Sequence, residues 1–468
     1  MKVSFATFVM LFCFNGVFAQ DYRIEWKRTI DNGNTDKAFS IVVEQDGDVH
    51  VTGYSVIGSD ADMLTVTYNS AGTLLEADTM GSTHNDYALG IAMDSTGSIY
   101  ITGKTNNGLN YDFVTYKIVN GVVSWEDTID RGNHDEAHDV AVDNDSGWVY
   151  VTGNIYDPYT DWDRYTVKYS TSGDKIWTRR SYLSGNDLGR AVAVDSEGNV
   201  YVGGSISLSD NQHHWYITKY SSDGDLLWAD TLLANSNFDV FIYDLAVDKW
   251  DNVYATGKGV SSDGYQVIYT VKFDSSGSIL WTEEYGKNTS PLAYGIAVDT
   301  SCNVYITGKM SISGSYYIVN LEYDSTGSLL WADTVDNSIP TPDDCGEGIF
   351  VDNAGNIYVA GYQYNGSNYD FVTIKYVSNT GVHSRDNIEK PDIKVSLFHE
   401  GEIPFSLSLR DGKRFRVSLY SVDGRLLDCG EGKGSGEYER RFYAPSGIYF
   451  LVLETGERRI SKRVIVVE

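Results

Sequence analysis

Basic residues are scarce in this sequence, and their scarcity limits the kinds of partner that the protein can bind. Only 36 Lys and Arg residues accompany 65 Asp and Glu residues, which gives a formal net charge of −29 at pH 7. Binding to nucleic acid requires a basic surface that releases counterions, and an anionic membrane repels an acidic surface. We therefore expect no nucleic-acid partner and no membrane-surface partner.

Prolines and cysteines are also few, and this shortage bears on the fold. With 7 Pro against 46 Gly and 35 Tyr, the composition favours many strands joined by tight turns. Cys13 lies in the N-terminal leader, which leaves Cys302, Cys345 and Cys429, an odd number that cannot form a complete disulfide framework. We expect these three to be small buried hydrophobic side chains.

The first nineteen residues have the pattern of a secretory signal peptide. Lys2 provides the charged start, residues 3–14 form the apolar stretch, and residues 17–19 resemble a cleavage site with small residues. The alternative is a membrane anchor, but the apolar run is shorter than the roughly 20 residues of a spanning helix. We expect cleavage after Ala19, no transmembrane span, and a secreted or outer-surface protein.

One phrase recurs seven times along the chain, in the form apolar-Ala-Val-Asp-x-x-Gly-Asn-Val-Tyr-Val-Thr-Gly. The first and last copies end 308 residues apart, so the mean spacing is about 51 residues, as in the four-stranded blades of a β-propeller. In one copy, residues 296–299 predict a short first strand and residues 304–308 a second strand. The sequence thus predicts an all-β, seven-bladed β-propeller of four-stranded antiparallel blades within residues 20–383. The copies end at Gly53, Gly103, Gly153, Gly204, Gly257, Gly308 and Gly361.

Tryptophans in the fourth strands predict how the ring of blades closes. Five repeats place a Trp four residues after the turn glycine, at Trp125, Trp177, Trp228, Trp281 and Trp331. Repeat seven has Arg385 at that position, whereas the N-terminus offers an unassigned strand around Trp26. We expect residues 22–30 to complete the last blade, because this pairing removes an exposed sheet edge.

The recurring phrase, best seen at residues 192–204 and 296–308, resembles the SBBP β-propeller repeat of bacterial exported proteins. The resemblance covers about residues 22–383. It implies a secreted or surface seven-bladed propeller, and it brings no catalytic residues with it.

The C-terminal segment differs from the repeats in charge and pattern. A polar linker at residues 384–391 precedes residues 392–468, and from Pro391 onward 13 Lys and Arg residues nearly balance 12 Asp and Glu residues. Alternating apolar residues in 415–420, 448–453 and 460–467 predict a small immunoglobulin-like β-sandwich.

Residues 417–427, 445–451 and 461–466 resemble a type IX secretion C-terminal sorting domain. The resemblance implies that secretion machinery is a partner and that the domain serves as an export address. The usual Pro-Asn-Pro-Phe opening is absent, and residues 403–405 are at best a remnant of it. The alternative is a plain immunoglobulin-like stalk.

Loops between the second and third strands provide the candidate ligand-binding residues. Loops on a rigid scaffold often carry function, and aromatic rings beside carboxylates suit sugars. The alternative is that several of these residues begin the third strand and pack between blades. The candidates are Tyr111, Asp112, Trp162, Asp163, His213, His214, Trp215, Tyr265, Tyr316, Tyr317, Tyr369 and Asp370.

Five carboxylates recur eight residues before the end of the first strand, while Val240 and Pro291 replace them in repeats five and six. Near the channel mouth they would be candidate calcium ligands, because calcium prefers carboxylate oxygens. The favoured interpretation is that each accepts hydrogen bonds from backbone amides at the start of a strand. The five are Asp36, Asp86, Asp135, Asp187 and Asp344.

The sequence favours binding over covalent chemistry. Neither H-E-x-x-H nor G-x-S-x-G occurs, so no catalytic residue and no cofactor other than calcium is indicated. We expect a monomeric surface protein that recognises a glycan or a protein on its long-loop face. One alternative is a polysaccharide-acting lyase or hydrolase, favoured if His, Asp and Tyr from different loops converge on one pocket. Another alternative is an inert surface scaffold.

Overall fold

The structure, a computed structural model, describes residues 22–181, 185–208, 212–232, 239–335, 337, 339 and 343–378, and seven strands between residues 392 and 466. The chain divides into two compact units, one at residues 22–379 and one that includes residues 380–468. The expected signal peptide and the linker at 384–391 lie outside the described residues. None of the residues described forms a helix long and apolar enough to cross a bilayer.

The first unit is a seven-bladed β-propeller of four-stranded antiparallel blades, as the repeat spacing predicts. The N-terminal strand is β1 (Tyr22–Ile30). Blade 1 contains β2 (Asp36–Val43), β3 (Val49–Ile57), β4 (Asp60–Tyr68) and β5 (Leu74–Met80), and blade 2 contains β6 (Tyr87–Met93), β7 (Ile99–Asn106), β8 (Tyr111–Val119) and β9 (Val122–Ile129). Blade 3 contains β10 (Asp135–Val142), β11 (Val149–Asp157), β12 (Asp161–Tyr169) and β13 (Lys175–Arg180).

The remaining four blades repeat this arrangement. Blade 4 contains β14 (Asp187–Val194), β15 (Val200–Ser207), β16 (His213–Tyr220) and β17 (Leu226–Leu232), and blade 5 contains β18 (Phe241–Val247), β19 (Val253–Val260), β20 (Gln266–Phe273) and β21 (Ile279–Tyr285). Blade 6 contains β22 (Leu292–Val298), β23 (Val304–Ile312), β24 (Ser315–Tyr323) and β25 (Leu329–Val335). Blade 7 contains β26 (Cys345–Val351), β27 (Ile357–Tyr364), β28 (Tyr369–Ser378) and, as its outer strand, β1.

The ring closes through β1. This strand pairs antiparallel with β28 from Tyr22 opposite Ser378 to Ile30 opposite Phe371. Trp26 of β1 is buried in an apolar cluster that also contains side chains of blades 1 and 7. The N-terminus therefore supplies the outer strand that repeat seven lacks.

Each innermost strand begins earlier than the sequence pattern indicates, because it contains a β-bulge. The first strand of blade 6 starts at Leu292, not Ile296, and its register against β23 shifts between Ala293 and Gly295. The consensus glycine lies opposite the bulge. A Cβ atom on Gly308 would lie 1.9 Å from the backbone oxygen of Leu292, and the other six glycines have equivalent contacts of 1.9–2.1 Å. The close approach of two backbones thus explains the glycine in every repeat.

Tryptophans of the outer strands connect successive blades. The indole nitrogen of Trp177 donates a hydrogen bond of 3.0 Å to the backbone oxygen of Ser222, in a turn of the next blade. Lys168 Nζ donates to the same oxygen at 2.7 Å. Trp26 makes the corresponding bond from blade 7 to blade 1, at 3.2 Å to Ser70. The repeated Trp therefore joins blades as well as filling the space between them.

The second unit contains two antiparallel sheets. Its strands are β29 (Asp392–Val395), β30 (Glu402–Leu409), β31 (Arg414–Ser421), β32 (Leu426–Lys433), β33 (Gly436–Tyr443), β34 (Gly447–Thr455) and β35 (Arg458–Val466). One sheet has the order β29-β30-β33 and the other has the order β32-β31-β34-β35. On β31, Val417 and Leu419 are buried.

Candidate functional site

The bulges of the seven innermost strands line one polar cavity on the propeller axis. Each bulge leaves one residue without a partner on the second strand, and bulges commonly redirect a side chain. The cavity has a volume of about 230 Å³. Its seven bulged residues are of six types, with only tyrosine occurring twice, although the surrounding repeats are alike. They are Phe39, Leu89, His138, Arg190, Tyr243, Tyr294 and Glu347.

Two carboxylates follow bulged residues and connect neighbouring blades across the cavity wall. Asp139 accepts one amide hydrogen bond from the next residue and a second, also of 2.8 Å, from Val192 of the following blade. Asp244 makes the same pair of bonds, the second from Ile296 at 2.8 Å. Both oxygens of each carboxylate are therefore occupied by backbone amides, and the other five blades have Ser, Gly or Ala here.

These two carboxylates are difficult to ionise together. Burial raises the pKa of Asp139 to about 7, although its two amide hydrogen bonds oppose the shift. Burial, and then the negative charge of Asp139, raise the pKa of Asp244 well above its usual range. The pair therefore retains protons at neutral pH, which reduces the negative charge inside the cavity.

His138 has a neutral imidazole ring that lies among charged side chains. Asn154 Nδ2 and Arg190 Nη1 approach its Nε2 at 2.9 and 3.1 Å. Burial and the Arg190 charge lower the pKa of His138 to about 4, so the imidazole is neutral at pH 7. Burial opposes ionisation of Glu136, but the His138 ring and the Lys104 ammonium, 2.8 Å away, lower its pKa overall.

Three cations around the cavity have no carboxylate partner within 4.0 Å among the described residues: Arg190, Lys37 and Lys309. Lys37 Nζ lies 3.8 Å from the ring centre of Tyr362 and 4.1 Å from that of Tyr369. Lys309 Nζ lies 4.8 Å from the ring centre of Tyr316. Aromatic rings, not carboxylates, thus hold the two lysines.

Glu347 is a carboxyl of the cavity lining whose pKa is affected by the charges of these two lysines. Burial raises its pKa to about 7, although the charges of Lys309 and Lys37 act in the opposite direction. Tyr294 and Tyr243 line the cavity beside it, with ring centres 4.9 Å apart. Burial raises the pKa of both phenols, so their hydroxyl groups remain protonated hydrogen-bond donors.

Some of the ligand-binding residues predicted from sequence lie against lysines near the cavity. Tyr111 and Tyr369 begin third strands. The ring centre of Tyr111 lies 4.9 Å from Lys104 Nζ on the neighbouring strand, and that of Tyr369 lies 4.1 Å from Lys37 Nζ on the neighbouring blade. Tyr316 contacts Lys309 in the same way. His213 stacks on Phe241, with ring centres 4.9 Å apart.

Other predicted residues lie apart from the cavity or inside the blades. Tyr265 is exposed, and Trp162 packs against Tyr156 with ring centres 5.5 Å apart. Trp215 is buried and donates a hydrogen bond of 2.8 Å to the backbone oxygen of Lys258. Tyr317 and Asp370 are half-buried near the starts of their strands, and Asp112, Asp163 and His214 are buried.

The five recurring aspartates are fully buried and accept hydrogen bonds in their own parts of the ring. Asp36 accepts a bond of 2.9 Å from Asn32 N, and Asp135 accepts one of 2.9 Å from Arg131 N. Asp86 and Asp344 accept amide hydrogen bonds of 2.9 Å from the ends of second strands, whereas Asp187 accepts a hydrogen bond of 2.6 Å from the Ser181 hydroxyl. Four of the five thus accept hydrogen bonds from backbone amides.

Three aspartates in blade 2 and at the start of blade 3 lie close enough together to hold a cation. Carboxylate oxygens of Asp112, Asp130 and Asp135 all lie within 4.8 Å of one another. This group joins one predicted ligand-binding residue with one predicted metal candidate. Burial raises the pKa of Asp135 to about 6, and Asp112 contributes to the rise.

Comparison with known proteins gives no family for the chain. No protein-family model matches it, and no curated protein matches it. A solved protein of unknown function from Bacteroides caccae is 12% identical, with 63% of this chain and 96% of that one covered and a TM-score of 0.42. Sqt1 from Chaetomium thermophilum is 13% identical (74% and 85% covered, TM-score 0.44), and a protein of unknown function from Dyadobacter fermentans is 11% identical (76% and 98% covered, TM-score 0.44). At these values the likenesses assign no function.

Proposed function

We propose that the protein is an exported, non-catalytic binding protein that recognises a glycan in the axial cavity and on the long-loop face around it. The observation that supports this proposal most strongly is the ring of bulged residues. In a chain of similar repeats, the seven side chains that face one polar cavity are of six types and include both signs of charge. A structural role alone would be served by the same residue in every blade.

A glycan fits the chemistry of this site. Sugars present apolar ring faces and many hydroxyl groups, so they bind where aromatic rings stand beside charged and hydroxyl-bearing side chains. Tyr243 and Tyr294 provide such rings inside the cavity, and Tyr111 and Tyr369 provide them beside lysines at the starts of third strands. A protein ligand is the other outcome that the binding experiment distinguishes.

The mature chain, residues 20–468, tests this proposal in a thermal-shift and calorimetry screen against a glycan panel, with and without calcium. A ligand that binds only the folded state raises its melting temperature. We expect a saturable shift that Tyr294→Ala abolishes and Trp250→Ala preserves. Trp250 is a suitable control because it is 70% exposed in a turn between a first and a second strand. No shift with any glycan would contradict the proposal and leave a protein partner or an inert scaffold.

We also propose that the chain is exported as an SBBP-type repeat protein and carries a sandwich-like type IX sorting domain at its C-terminus. Residues 417–421, 447–451 and 461–466 of the sorting-domain resemblance lie on β31, β34 and β35, and β34 pairs with both of the other two strands. The intact mass of the surface-exposed protein tests this. A product that still ends at Glu468 and forms without the secretion machinery would contradict the sorting role.

A polysaccharide-acting lyase or hydrolase is the second candidate function. One observation favours it: histidine, tyrosine and carboxyl side chains from different blades line one cavity, although they come from strands and not from loops. These residues are His138, Asp139, Tyr243, Asp244 and Glu347. Asp139 and Asp244 already use both oxygens for backbone amides, so Glu347, with a pKa near 7, is the better acid. Release of new reducing ends from a bound glycan, lost in Glu347→Gln while binding persists, would establish catalysis.

A further inference from the structure

We infer that the glycan recognised by this protein ends in an acidic sugar residue, whose carboxylate or sulfate group binds Arg190 inside the axial cavity. This inference rests on the proposed function and adds the chemical class of the ligand. It starts from a contrast in charge. The chain carries a net charge of −29, yet three cations in or near the axial cavity face no carboxylate partner among the described residues.

Of these three cations, Arg190 is the one with a buried donor atom that makes no hydrogen bond to a described residue. Its Nη1 atom approaches only the neutral ring of His138, at 3.1–3.2 Å. Its Nε atom is buried and has no hydrogen-bond partner in the described part of the chain. A buried donor atom that is left unpaired is costly. Arg190 as a whole is half-buried and lines the cavity, so a carboxylate or sulfate there can accept hydrogen bonds from its guanidinium.

Two lysines outside the cavity lining add positive charge near Glu347, which does line the cavity. Lys37 and Lys309 lie against tyrosine rings, and the charges of both act on Glu347. Because burial keeps Glu347 partly protonated near pH 7, it does not cancel both ammonium groups. Asp139 and Asp244 contribute little negative charge for the same reason. The cavity lining therefore carries one cation, Arg190, whose charge its carboxyls offset only in part.

The size of the cavity limits what part of a glycan enters it. Ordinary ligand pockets measure roughly 300–1,000 Å³, and this cavity measures about 230 Å³. The space suits one terminal residue better than a chain that passes through. Tyr243 and Tyr294 lie side by side on its wall, where a sugar ring can pack between the Arg190 side and the Glu347 side.

Calorimetry with the mature chain tests the inference. The probes are oligosaccharides that are identical except for the terminal residue, which is glucuronate, glucose 6-sulfate or glucose. We expect both acidic probes to bind about ten- to a hundredfold more tightly than the neutral probe, as befits a hydrogen-bonded ion pair. The carboxylate and sulfate arms show which acidic group the site prefers.

Variants locate the acidic group. Arg190→Gln is expected to remove most of the preference for acidic probes while weak binding of the neutral probe persists, and Arg190→Lys to restore part of it. Lys309→Gln serves as a second variant if Arg190→Gln does not fold. Lys287→Gln is the charge-matched control, because Lys287 lies at the surface in an ion pair with Asp263.

Three results would overturn the inference in different ways. Equal affinity for acidic and neutral probes refutes the acidic ligand and leaves the glycan-binding function intact. An acidic preference that is unchanged in folded Arg190→Gln refutes the binding of the acidic group to Arg190. Absence of binding to every glycan in the panel refutes the glycan-binding function and the acidic ligand together.

Discussion

Replacing Trp26 by alanine is expected to weaken the closure of the propeller ring. Trp26 is 6% exposed, and its ring lies 5.9 Å from that of Tyr68 in blade 1 and 6.4 Å from that of Tyr358 in blade 7. Its indole nitrogen also bonds Ser70 of blade 1. The substitution removes packing on both sides of the closure and one hydrogen bond between the first and last blades.

The size of the effect follows from these contacts. Truncating a buried Trp to Ala costs about 3–5 kcal/mol, and the lost hydrogen bond adds about 1 kcal/mol. Unfolding entropy is about 2.1 cal/mol/K per residue, or about 0.75 kcal/mol/K for a unit that spans residues 22–379. The melting temperature should therefore fall by about 5–8 °C.

Differential scanning calorimetry of the mature chain measures this shift against two controls. Trp26→Phe keeps most of the packing and loses the indole donor, so it should cost only 1–2 °C, on the order of one hydrogen bond. Trp250→Ala removes a side chain that is 70% exposed and should change nothing measurable. If Trp26→Ala lowers the melting temperature no more than Trp250→Ala does, the ring is not closed by β1.

Three further predictions concern acidity, the consensus glycines and the thiols. Carboxyls with raised pKa values bind more protons in the folded than in the unfolded state, so the free energy of unfolding should fall as pH rises from about 4 to 7; urea denaturation that shows greater stability at pH 7 than at pH 5 would contradict this. Gly204→Ala places a Cβ atom 1.9 Å from the Leu188 oxygen and should destabilise the propeller by more than about 1–3 kcal/mol. Gly355→Ala should cost less, because its Cβ meets no atom within 4 Å and only the φ of +78° is strained, at about 1–2 kcal/mol. Cys302 and Cys345 are buried and free, so a thiol reagent should label both after denaturation and neither before it; a disulfide between them would contradict the blade assignment. The carboxyls with pKa values raised to about 6 or 7 are Asp135, Asp139, Glu322, Asp344 and Glu347.

Much of the candidate site was beyond sequence reasoning for a local reason. A β-bulge adds one residue to a strand and breaks the alternation of inward and outward side chains. In blade 6 the pattern therefore indicates a strand only from Ile296, and the bulged Tyr294 falls in the apparent connection. One signal was present: at the bulged position the repeats carry residues as different in charge and size as Arg190, Glu347 and His138.

The sequence by itself determined the number of blades, the four strands in each and the place of the consensus glycine. These properties depend on spacing and on contacts between neighbouring strands, which a repeated phrase records seven times. Only the tertiary structure decided which residues meet on the axis. Arg190 and Glu347 are 157 residues apart in the chain, and ring closure through β1 is what brings blades 4 and 7 around one cavity.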